Sequence, residues 1–302
     1  MSPSSTPAAG AATMRWLLLV TMALWGANLS VVKLLVSRFD TMAIATLRMG
    51  VAALALLAIL AWRRAGWPRL DRRQWATLAV CSVLMVYANQ ILFTEGVART
   101  TAANAALIIA LNPLISALMA VALLGDRLTP PRVAGVLLGF GGVALVVLNR
   151  PGAALGGGSW GDALVLGSVI SWVSGGVLVQ RLARQLDSAL ISGVVHTLGM
   201  LWLLAHMALR PAPFGIDWAQ FSWWHGVLTA LSGLLATALG ALVWNRALTT
   251  LGVARTSLYV YWVPIFGVAF AVGLLGEPLS VWHVAGLAMV LGGTWLGTRH
   301  HG

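Results

Sequence analysis

Long apolar runs alternate with short polar breaks along nearly the whole chain. Runs of about 20 residues cross a hydrocarbon core of about 30 Å as helices. They predict spans near 15–36, 42–62, 75–94, 101–124, 132–149, 160–181, 188–208, 223–245, 252–275 and 281–297. The short alternating segments of a membrane barrel are absent, so helices are the way to satisfy the backbone in lipid. The pattern predicts an all-α membrane protein of ten transmembrane helices, with the lipid bilayer as its first partner.

The pattern also repeats. Segment 123–135, LLGDRLTPPRVAG, matches 274–286, LLGEPLSVWHVAG, at a shift of 151 residues. The same shift pairs Pro113 with Pro264 and Gly141-Gly142 with Gly292-Gly293. Earlier in each half a shift of 147 pairs Trp25 with Trp172 and Asp40 with Asp187. The difference falls in or near the Pro-rich stretch 209–222. Five spans per half is an odd number, so the two five-helix repeats must be inverted. The expected organisation is a disordered tail over 1–13, a first repeat over 14–150 and a second over 151–302. Inverted repeats give two conformations related by exchanging the roles of the halves, which is alternating access around a site near the midplane.

Composition narrows the class. Residues are 59% hydrophobic and 9% charged, with mean hydropathy +0.88, whereas a water-facing domain carries roughly 25% charged residues. The net charge of +11 raises nucleic acid as a partner. The basic residues, however, are scattered singly or in pairs between apolar runs, and no basic domain exists to hold a duplex. Ten spans place both termini on one side, and that side holds thirteen arginines, five of them within 63–73. The other side holds four, Arg38, Arg99, Arg150 and Arg210. The arginine-rich side, with both termini, is expected to be cytoplasmic. Cys81 is the single cysteine and excludes an intrachain disulfide. Arg15 leads into a full-length span, which reads as a signal anchor rather than a cleaved signal.

Polar groups at membrane depth cost free energy and usually face protein or a water-filled path. Lys33, the only lysine, lies near the outer end of span one, and Arg48 lies about two turns into span two from the same side. Two readings of Lys33 stand. It snorkels to the interface, or with Arg48 it makes a basic patch at the outer mouth that attracts carboxylates or gates through Glu95 or Asp40. Trp25 and Asn28 share a face near the middle of span one, and Trp172 takes the matched place in span six. Such rings pack as core or line a cavity that stacks an aromatic or cationic solute. Span three adds Tyr87, Asn89 and Gln90, span four Asn104, Asn112 and Pro113, and span nine Tyr259, Trp262 and Pro264. The prolines are expected near mid-span as hinges or packing bends. His196, mid-span seven, reads either as a helix–helix hydrogen bond or as a solute or proton contact. The candidate substrate residues are therefore Trp25, Asn28, Arg48, Tyr87, Gln90, Asn112, Trp172, His196, Tyr259 and Trp262, with Lys33 and Glu95 as gate charges.

Absent features matter too. No Asp or Glu falls at mid-membrane, so a carboxylate-relay antiporter is disfavoured against a facilitator, an exchanger, or coupling through His196 or Glu95. No Walker A pattern, haem-type histidine pair or metal-spaced Cys/His cluster occurs. No cofactor, metal or catalytic residue is expected. The glycines of spans five and ten (Gly135, Gly139, Gly141, Gly142, Gly286, Gly292, Gly293) suit close helix packing, as scaffold or as a dimer surface, so monomer and homodimer both stand.

LWGANLSVVKLL at 24–35, Arg48, and VARTTAANAALIIALNPLISALMAVALLGDRLTPPRVAGVLLGFGGVALVV at 97–147, with its weaker echo at 248–296, resemble the drug/metabolite transporter superfamily, EamA type. Two departures are Asp126 in place of the usual glutamate and Gln180 where span one has Lys33. The resemblance implies a bacterial inner-membrane exporter of amino acids or similar small metabolites, with a lean from the central Trp and Tyr residues toward aromatic or hydrophobic amino acids. Two other classes remain. An enzyme acting on a lipid carrier would need acidic or histidine clusters at one membrane face, and a non-transporting subunit sits poorly with a complete duplication.

Overall fold

The computed structural model describes residues 7–63, 69–124, 129–149, 159–183, 185–210, 216–251, 256 and 258–298. Among them, six helices are long and apolar enough to cross a membrane: Ala12–Val36, Thr41–Trp62, Arg72–Arg99, Trp160–Leu182, Ser188–Leu209 and Trp223–Trp244. Four shorter apolar helices, Ala102–Ser116, Val133–Val146, Tyr259–Leu275 and Val281–Leu296, take the remaining places. Every span expected from the sequence has its helix. Span one begins at Pro7, inside the stretch expected to be a disordered tail. Proline suits the first helical turn and the alanines that follow are strong helix formers.

The ends of the spans are set by ordinary capping chemistry. Asp40 starts span two by accepting from Ala43 N, Asp187 starts span seven by accepting from Ala189 and Leu190 N, and Asp71 with Gln74 forms a capping box at span three. Gly276, at φ +64°, ends span nine in the left-handed conformation that a side chain disfavours.

Spans three and eight, matched in the repeat, each contain a π-helical stretch, Val83–Ala88 and Ser232–Leu239. Such a bulge disturbs the carbonyl ladder and recurs at functional sites. In each case the first span of the other half supplies a donor to a disturbed carbonyl. The Trp25 indole N–H donates to Ala236 O at 2.7 Å, and the Ser171 hydroxyl donates to Leu84 O at 2.7 Å. Trp172, the expected partner of Trp25, is half-buried, and the hydroxyl one residue before it does the equivalent bonding.

Spans four and nine, the other matched pair, are broken. Span four divides into Ala102–Ile109 and Asn112–Leu124, and span nine passes from a 3₁₀ turn, Leu258–Tyr261, into Trp262–Leu275. Pro113 and Pro264 both fall in the first turn of a helix that starts afresh, where a missing N–H is tolerated. They mark breaks rather than bends.

Spans five and ten cross backbone to backbone. A Cβ on Gly142 would lie 2.7 Å from Gly286 O, and one on Gly293 would lie 2.6 Å from Gly135 O. Only glycine permits that approach. The main apolar core gathers side chains from spans one, two, three, four, six, seven and nine, among them Leu35, Ile44, Leu78, Ala105, Val165, Val194 and Val268.

Candidate functional site

Two polar assemblies stand out, one at an end of the bundle and one deep within it. The first is at the end that holds Lys33. The Lys33 ammonium donates to the carbonyls of Val97, Ala98 and Thr100, at 2.9, 3.2 and 2.5 Å. These are the last carbonyls of span three, which helix geometry leaves without partners and makes partly negative. Two residues on, the Glu277 carboxylate accepts from Ala102 N and Ala103 N at 2.8 and 3.0 Å, covering the partly positive start of span four. One charge from span one and one from beyond span nine thus clamp the turn between spans three and four.

Further ties join the same end. Thr41 donates to Glu95, which also pairs with Arg99, and Thr100 donates to Asp162 at the start of span six. Arg210 reaches Asp40 at 2.8 Å. Its pKa is raised, first by that hydrogen bond. Phe39 meets Phe221 and His225 edge to face, its ring centre 5.1 and 4.9 Å from theirs. Lys33 therefore neither snorkels nor pairs with Glu95 or Asp40. It is held by backbone.

The opposite end differs at the matched positions. Gln180, the counterpart of Lys33, is exposed. Leu29 is 3% exposed, whereas a Cβ at its counterpart Gly176 would meet nothing within 4 Å. Span one packs along span three, while spans six and eight, the equivalent pair, make no comparable contact among the described residues.

The second assembly lies about two turns below the Lys33 end. Arg48 is 2% exposed. Its Nε donates to Ser232 Oγ at 2.5 Å and its Nη1 to Gln90 Oε1 at 3.3 Å. Ser232 in turn donates to Asn28 Oδ1, Gln90 donates to Asn89 Oδ1, and Asn89 donates to Ser168 O. The cluster joins spans one, two, three, six and eight, so both halves build it. Span eight comes close enough because Gly233 packs on Arg48 O and on Val51, where a Cβ on Gly233 would stand 2.9 Å from Val51 Cβ.

Of the residues singled out in the sequence, the structure thus unites Asn28, Arg48 and Gln90. Trp25 lies beside them, its ring 5.8 Å from Trp244 at 40°, in an apolar cluster that also takes Tyr259 and Phe266. Tyr87 is elsewhere, its hydroxyl 2.9 Å from His206 Nδ1. His196 is buried and its Nδ1 bonds Ser192 O, on its own helix, at 2.8 Å. Trp262 is 44% exposed beside Phe266, and Asn112 is half-buried at the break in span four. Sequence reasoning missed Ser232 and Glu277. A serine in an apolar span carries no signal by itself, and Glu277 reads as an ordinary loop charge until its helix-end partners are seen. An apolar cleft of about 350 Å³, lined by Ala55, Ile59, Leu234 and Leu242 among others, includes none of this chemistry.

Residues 13–148 and 159–299 each match the EamA-like transporter family. The chain belongs to that family. It is 28% identical to an uncharacterized transporter, YyaM, of Bacillus subtilis, over 88% of this chain and 87% of that protein. It is 25% identical to a probable terminal-alkyne amino-acid exporter of Streptantibioticus cattleyicolor, over 94% of this chain and 93% of that one. A solved crystal structure shares the fold at TM-score 0.66 and 19% identity, covering 93% of this chain and 95% of that chain. The protein is a multi-pass membrane transporter of this family.

Proposed function

We propose that the protein exports amino acids or similar small metabolites across the bacterial inner membrane by alternating access of its two five-helix halves, with both termini cytoplasmic. The observation that carries this reading is the unequal state of the matched ends. Lys33 is sunk in span-three carbonyls while Gln180, its repeat counterpart, is exposed. Equivalent elements of an inverted repeat held in two different states are what a transporter resting closed at one end requires. The arginine count assigns the closed end to the outside, so the resting state would admit solute from the cytoplasm, the direction an exporter needs.

The substrate class rests on the exporter named among the relatives and on the central chemistry. Trp25, Trp244 and Tyr259 offer an aromatic wall next to a polar cluster, which suits a hydrophobic or aromatic side chain beside a charged backbone group. Uptake and counterflow in proteoliposomes test the reading, with labelled amino acids competing against nucleobases and sugars. Phenylalanine, tryptophan or leucine should compete best, and a flux displaced only by sugars or nucleobases would overturn it. No carboxylate occupies the middle of the described spans, so a pH gradient should be dispensable. Strong gradient-driven accumulation that survives substitution of His196 and Glu95 would refute facilitation or exchange.

A further inference from the structure

We propose that Arg48 is the receptor for a carboxylate of the transported solute, an inference that rests on the export reading and names the solute group the site selects. Arg48 is 2% exposed, yet the hydrogen-bond partners it meets, Ser232 and Gln90, are neutral. A buried guanidinium without an anion is held at a substantial desolvation cost. The chain has 8 carboxylates. Seven lie at span ends or in loops, each engaged with other groups, and Asp126 lies outside the described residues.

The surrounding groups are also oriented for an incoming anion. Ser232 and Gln90 turn oxygens toward the cation and pass their own protons outward, to Asn28 and Asn89. The cation is therefore polarised by neighbours but not neutralised, and guanidinium is the side chain whose fork matches a carboxylate. The fold itself does not need a charge at this depth. The repeat counterpart of Arg48 is Val195, buried on span seven at the matched position. Since the cluster takes members from both halves, a carboxylate bound there would be handled by spans one, two, three and eight together. Loaded and empty carriers would then differ by the neutralisation of a buried charge, which favours exchange over return of the empty carrier.

The test uses full-length protein in detergent and in proteoliposomes, with phenylalanine, 3-phenylpropionate and phenylethylamine as probes. In the wild type, the two carboxylates should raise the melting temperature and compete for flux, and phenylethylamine should do neither. Arg48→Gln should abolish both stabilisations and reduce phenylalanine flux about 100-fold, the scale expected when one partner of a buried charge pair is lost. The unliganded Arg48→Gln protein should melt at or above the wild-type temperature, because an unpaired buried charge is gone. Arg48→Lys should keep part of the carboxylate response. Equal binding or flux of phenylethylamine and phenylalanine in the wild type would overturn the proposal without any variant. So would wild-type phenylalanine flux in a folded Arg48→Gln protein. If 3-phenylpropionate binds and moves while no amino acid does, the carboxylate site stands and amino-acid export falls. If only solutes without a carboxylate move, both fall.

Discussion

Span one crosses span eight much as span six crosses span three, and the repeat makes the two crossings equivalent. In one, Asn28 faces Ser232 beside Arg48. In the other, the matched pair is Gly175 and Cys81, with Sγ 3.8 Å from Gly175 O, and Val195 stands where Arg48 would be. Small residues and neutral hydrogen bonds, among them Ser171 to Leu84 O, close the second crossing without a buried charge. The first builds the same crossing around a cation and its amide and hydroxyl neighbours, at a desolvation cost the second avoids. The scaffold can thus be made without the polar cluster. Its presence on one side only is what the proposed carboxylate site at Arg48 would require.

The comparison breaks most visibly where the halves are alike. Gly142 and Gly293 are repeat-matched and each lets its helix touch the backbone of the other. Gly142→Leu and Gly293→Leu should each destabilise by about 3 kcal/mol, a drop of about 5 °C or more in melting temperature, or yield no monodisperse protein. The two effects should be similar. A tolerated leucine at one position and not the other would show that the crossing of spans five and ten is not symmetric.

Next in size comes the clamp at the Lys33 end. Lys33→Met removes an ammonium from three carbonyls. Hydrogen bonds to a charged group are worth about 1.5–3 kcal/mol, so the open-to-closed ratio of that end should rise about tenfold or more. A cysteine placed at Ala103, now 2% exposed, in a Cys81→Ser background reads this through its rate of labelling by an impermeant maleimide. An unchanged rate would mean that Lys33 fastens span three without governing access. Gln180→Lys should act in the same direction and more weakly, a few-fold, by placing an ammonium at the matched position of the opposite end. The pentapeptide GVART at 96–100, whose carbonyls receive Lys33, recurs at 252–256, so the sequence supplies similar ground for a cation to meet.

Much of this architecture is legible in the sequence. Among the described residues each of the ten apolar runs is helical, because lipid allows few other backbones, and the fixed shifts pair the π-bulged and the broken spans. Local chemistry was harder to read. Arg48 stands out by its depth, but Ser232 is its partner because Gly233 lets span eight pack against span two, and Gln90 reaches it from span three. Lys33 looked like an interfacial cation, since nothing in its own segment reveals that the carbonyls of span three end beside it. The pairing of Trp25 with Trp172 was right in register and incomplete in chemistry, because a helix bulge shifts the accepting carbonyl by a residue and a different donor meets it.

The two donors to the π-helical stretches give the finest test of the comparison. Trp25 and Ser171 come from repeat-matched spans and do one job, each giving a proton to a carbonyl in the π-helical stretch of the opposite half. Trp25→Phe keeps a ring and Ser171→Ala keeps the backbone, so each mainly deletes one neutral hydrogen bond worth about 1 kcal/mol. Each variant should melt about 2 °C lower, and the double variant should lose the sum, since the two bonds share no residue. Their effects on flux should separate them. Trp25 stands beside the Asn28–Ser232–Arg48 cluster, whereas Ser171 lies in the crossing without a buried charge, so Trp25→Phe should slow transport severalfold and Ser171→Ala should leave it unchanged. Equal losses of flux would place the function in the bulges themselves, on both sides, rather than in the one crossing that carries the cation.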